Sequence, residues 1–109
     1  MANNKEIAEK GIRDSYMIKD MLALSRELYQ IALEDHRDEF VYEARAFYTN
    51  VRCYWLDDAL ININDLGDDY RALDYKICEA GYGLNIRYSE RLKEINSLFT
   101  RIHFKGDED

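Results

Sequence analysis

The stretch Met17–Ala32, MIKDMLALSRELYQIA, decides how this chain folds. Met17, Met21, Leu24, Leu28 and Ile31 recur at alternating spacings of four and three, which sets them on one face of a 3.6-residue helix. Ile18, Leu22, Tyr29 and Ala32 form a second stripe beside the first and widen the apolar face. Such a face has to be covered by other elements, so the neighbouring stretches should be helical as well.

Upstream, the same rhythm reaches back to about Asn4, although Gly11 and Ser15 weaken its first turns. Downstream it stops at Glu34-Asp35-His36-Arg37-Asp38. Phe40, Ala44, Phe47, Val51 and the pair Tyr54/Trp55 then carry a second helix, with Asp38 as its expected N-cap. The alternation Ile61-Asn62-Ile63-Asn64 disfavours helix, so the second helix should end near Asn62, with a loop up to Gly67. A third stretch opens at Asp68-Asp69 and carries Tyr70, Leu73, Ile77, Ala80 and Leu84. Tyr88, Leu92, Ile95, Phe99 and Ile102 resume the pattern beyond Gly81-Tyr82-Gly83. Two glycines inside a helix cost about 2 kcal/mol relative to alanine, which favours a break there.

The expected fold is all-α, an antiparallel helical bundle of three long helices or four. A single domain should span 1–105, followed by a disordered acidic tail, 106–109. At 109 residues and 47% hydrophobic content the chain can bury a core without disulfides or metal. A first helix of about 45 Å would outrun its neighbours, which hints at a homodimer. No segment is long and apolar enough to span a bilayer, and the N-terminus lacks the features of a secretory signal. A cytoplasmic location, in a bacterium or a host cell, is the expectation. Cys53 and Cys78 read as half-buried free thiols, with no CxxC motif.

A net charge of −7 argues against a general nucleic-acid binder. The acids are also unevenly placed. Glu34, Asp35, Asp38, Glu39 and Glu43 face only Arg37, and Asp57, Asp58, Asp65, Asp68 and Asp69 occupy a run without a base. In an antiparallel bundle these groups mark opposite ends, while Arg87, Arg91, Lys93 and Arg101 stripe the last helix. Tyr42, Tyr48 and Tyr75 fall off the apolar stripes beside charged residues, a combination suited to protein recognition.

Catalytic chemistry finds no foothold in the sequence. Neither His36 nor His103 belongs to a Glu-x-x-His or HExxH pattern, and the glycines form no phosphate loop. Glu34, Asp35, Asp38 and Glu39 could approach a Mg²⁺ ion, yet no second regularly spaced carboxylate pair on another helix completes a cage. The expectation is a non-enzymatic protein with no cofactor and no metal, which occludes a basic, nucleic-acid-handling surface of a partner protein. Small acidic helical proteins with many tyrosines are common among phage and mobile-element inhibitors and among immunity proteins, an association of composition alone. The expected contacts are Asp57, Asp58, Asp65, Asp68, Asp69 and Tyr70, with Glu34, Asp35, Asp38, Glu39 and Tyr42 as a second patch. One alternative is a small DNA-binding regulator reading with the basic helix 85–103 behind its glycine turn. The other is a structural or assembly homodimer subunit.

Overall fold

The computed structural model describes the backbone of residues 4–58 and 60–107 and the side chains of 16–58 and 60–102. It contains four helices: α1 (Asn4–Glu34), α2 (Val41–Leu56), α3 (Ile63–Glu79) and α4 (Ile86–Asp107). No strand occurs among the described residues. The fold is an all-α antiparallel four-helix bundle, with extents of 50 × 23 × 18 Å. α1 packs on α2 and α4, α2 packs on α3, and the backbones of α3 and α4 lie further apart, with Tyr70 of α3 reaching Leu92 and Phe99 of α4. Arg87 reaches Asp35 and Arg91 reaches Glu27, so α4 runs back along α1. No helix among the described residues is long and apolar enough to cross a membrane.

The apolar stripes form the core. Met21, Leu28, Phe40, Phe47, Val51, Leu66, Leu73, Ile77, Tyr88 and Ile95 are all buried. Two aromatic groups tie the helices together. Phe40, Tyr82 and Tyr88 meet edge to face with centroids 5.3–5.9 Å apart. Phe47, Tyr70 and Phe99 form the second group at 5.5–6.2 Å. Aromatic pairs at such separations add to the area they bury. Ser25 is buried on α1 and satisfies its hydroxyl by donating to the Leu22 carbonyl at 2.9 Å.

The connections at one end share a chemistry. α3 closes with the Tyr82 amide on the Ile77 carbonyl and the Gly81 amide on the Cys78 carbonyl, both at 3.0 Å, with Gly81 at φ 89°. That is a Schellman closure with glycine in the left-handed position. α1 closes the same way, through Arg37 to Ala32 at 2.9 Å and His36 to Leu33 at 3.2 Å. Here a histidine, His36 at φ 55°, holds the left-handed position. Gly83 has a steric role instead, because a Cβ there would lie 2.8 Å from Cys78 Sγ.

Several boundaries differ from the sequence expectation. α2 ends at Leu56, and α3 starts at Ile63 rather than at Asp68. Asn62 takes an extended conformation and its side chain accepts a hydrogen bond from the Asn64 amide at 2.7 Å. The property that makes asparagine poor inside helices makes it a good N-cap. Asp38 is not the cap of α2: Phe40 occupies that position, with no side-chain cap bond. Leu84 is 95% exposed in the α3–α4 connection instead of joining the core. Cys53 and Cys78 are free; Cys53 is half-buried, but Cys78 is exposed. The backbone of α4 includes Gly106 and Asp107, and the rest of the expected acidic tail lies outside the described residues.

Candidate partner-binding surfaces at the two ends

The first acidic group lies where the α1–α2 and α3–α4 connections meet, and much of it is engaged internally. Arg87 donates through Nη1 to Asp35 Oδ1 at 2.9 Å and through Nη2 to Glu34 Oε2 at 3.3 Å. Tyr88 donates its hydroxyl to Asp35 Oδ2 at 2.8 Å. That bond is the leading reason the Asp35 carboxyl sits below its ordinary pKa of 3.8; partial burial opposes it, and Arg87 and Arg37 reinforce it. The same bond, with burial as the larger cause, pushes the Tyr88 phenol well above its ordinary value.

Arg37 completes this clasp. Its Nε donates to the Asp35 carbonyl at 2.8 Å, its Nη1 donates to the Tyr82 hydroxyl, and its guanidinium lies 5.0 Å from the Tyr82 ring centroid. Asp35 therefore fastens the bundle, while Glu34, with a side chain 69% exposed and one contact to Arg87, stays on the surface. Asp38 and Glu39 remain exposed and form no ion pair with any described residue. Tyr42 is 74% exposed beside them.

At the opposite end, the α2–α3 connection presents Asp57, Asp58 and Asp65, all exposed. Asp58 and Asp65 form no ion pair with a described residue. Asp68 is exposed and pairs with Arg71 one turn along α3, a surface pair of small energetic consequence. Asp69 is half-buried and accepts from Asn50 Nδ2 at 2.6 Å, joining α3 to α2. Tyr70 is a correction, since it is buried and donates to the Leu92 carbonyl at 2.9 Å. Burial, then the charges of Asp74 and Cys78, pushes its pKa up to about 12. Its position on the α3 stripe already carried that signal.

The basic stripe of α4 is also partly committed. Arg87 is held as described, and Arg91 donates to Glu27 Oε2 at 3.2 Å and to the Arg87 carbonyl at 2.7 Å. Lys93 and Arg101 remain exposed. No group of three or more potential metal ligands occurs among the described residues. The Cys78 thiol is pushed up by desolvation and by Asp74, whose Oδ1 lies 3.8 Å from the sulfur, so the reactive thiolate is disfavoured.

Sequence reasoning missed the apolar component of the α2–α3 end. Leu56 and Leu60 are 69% and 68% exposed, and Trp55 is 38% exposed. Of the Tyr54/Trp55 pair on the α2 stripe, Tyr54 packs on the core and Trp55 does not, and the helix ends at Leu56. The available signal was Asp57-Asp58, which ends α2 directly after Leu56. The chain matches no protein-family model, no curated protein and no solved structure.

Proposed function

We propose that the chain is a non-enzymatic binding protein that covers a basic surface of another protein, with the α2–α3 end as its principal docking face. The observation that supports this reading is that two exposed carboxylates at this end stand in the same part of the chain as the exposed Trp55, Leu56 and Leu60. Asp58 and Asp65 form no ion pair with a described residue, and no lysine or arginine lies between Trp55 and Asp69. Unscreened surface carboxylates steer a cationic partner and orient it on encounter. Asp38, Glu39 and Tyr42 provide a smaller second surface at the other end. A DNA-reading role for α4 would rely on Arg87 and Arg91, and both serve internal carboxylates.

The test uses association with an immobilised polylysine surface. The double variant Asp58→Lys/Asp65→Lys should associate about tenfold more slowly at low salt and with a shallower salt dependence. Asp68→Lys should have a smaller effect, because its charge is already offset by Arg71. Equal association rates for the parent and the double variant would refute the assignment of this face.

A further inference from the structure

The α2–α3 end carries more than charge. From Trp55 to Asp69 the chain holds Asp57, Asp58, Asp65, Asp68 and Asp69 without one lysine or arginine. Within that run Trp55 and Leu56 at the end of α2 and Leu60 in the connection expose apolar surface, and the Leu60 amide bonds the Asp57 carbonyl at 3.0 Å. Ile61 and Ile63 beside them pack on the core, so this is a selective exposure rather than a general loosening of the connection. Exposed apolar side chains in a run rich in carboxylates fit a docking site with apolar anchors and a charged rim.

Resting on the proposed function above, we infer that the occupant of this surface is a cationic amphipathic segment of another protein, seating large apolar side chains on Trp55, Leu56 and Leu60 while its lysines and arginines meet Asp58 and Asp65. Charge complementarity selects this occupant. A second copy of the chain would bring like-charged carboxylates against each other and is disfavoured at this face. Leu33, Leu84 and Ile86 are exposed at the clasped end, where Asp38 and Glu39 form no ion pair with a described residue either, so paired leucine variants at the two ends decide between them. An apolar face with basic flanks, read as anchors at helical spacing, is a common form of such segments.

Trp55 is the single tryptophan of the chain, so its emission reports this surface directly. The probe is a synthetic Leu/Lys amphipathic helix of about 18 residues, compared with a peptide of equal charge in which serine replaces leucine. The Leu/Lys peptide should shift Trp55 emission to shorter wavelength and bind at least about tenfold more tightly than the Ser/Lys peptide. Leu56→Ser/Leu60→Ser should lose most of that advantage, and Leu84→Ser/Ile86→Ser should keep it. These side chains are exposed, and circular dichroism would verify that both variants remain folded.

Equal binding of the two peptides with unchanged Trp55 emission would overturn the apolar anchor and leave the acidic docking face standing. Absence of binding by either peptide would overturn both. An emission shift that depends on protein concentration alone would assign the surface to a second copy. Equal losses in the two leucine variants would remove the site from the α2–α3 end.

Discussion

His36 sits at φ 55° in the position that Gly81 fills at the equivalent close of α3. A side chain in the left-handed region costs about 1 kcal/mol through contact between Cβ and the backbone, and glycine avoids that contact. The surrounding hydrogen bonds, Arg37 to Ala32 and His36 to Leu33, are made by backbone atoms and do not require an imidazole. His36→Gly should therefore stabilise the fold by roughly 0.5–1 kcal/mol, read as a higher urea midpoint with an unchanged slope. An unchanged or lower midpoint would mean that the imidazole compensates for the strain. The histidine was visible in the sequence only as part of a polar break. A left-handed residue other than glycine leaves little trace in composition.

Among the elements, α3 and α4 form the weak side of the ring. Tyr70 bridges them, with its hydroxyl on the Leu92 carbonyl and its ring 5.5 Å from Phe99. Clefts of about 380 and 360 Å³ open along this seam, and Tyr70, Arg71 and Asn96 line both. Tyr70→Phe keeps the ring contact and should cost about 1 kcal/mol for the lost hydrogen bond. The phenol also sets an alkaline limit. Its pKa is about 12 in the folded chain and near 10 when unfolded, so its contribution is complete below pH 10 and is lost as pH rises toward 12. Tyr70→Phe should accordingly make stability less sensitive to pH above 10, measured by denaturant unfolding across that range. An equally steep decline in the variant would assign the loss to other groups.

The buried face of each helix was legible, because Met21, Leu28, Phe47, Leu73, Ile77, Tyr88 and Ile95 follow periodicity that depends only on local geometry. The start of α3 was not. Asn62 and Asn64 lower helix propensity, and only the placement of Leu66 against the core shows that one of them caps. The proposed docking residues were legible as charges but not as free charges. Whether a carboxylate meets an arginine some fifty positions away, as Asp35 meets Arg87, depends on helix rotation that no single stretch specifies.

At the scale of the whole molecule, the clasp of Asp35, Arg37, Tyr82, Arg87 and Tyr88 joins the first helical hairpin to the second. Asp35 is its acid-sensitive member. Its folded pKa lies below the ordinary 3.8, so an unfolded chain takes up the proton more readily. The stabilisation is full above that ordinary value and disappears as pH falls through the lower folded one. Asp35→Asn should lower stability at neutral pH and flatten the decline below pH 4, followed by urea unfolding. A parallel decline in parent and variant would place the acid sensitivity elsewhere.

The direction of the helices has a practical consequence. Because α4 returns antiparallel to α1, the Asn4 end of one and the Asp107 end of the other point toward the α2–α3 face. A fusion partner or affinity handle attached at either extremity would lie on the same side of the bundle as Trp55, Leu56 and Leu60. A circular permutant opened beside Leu84 would carry its attachment points to the clasped pole instead.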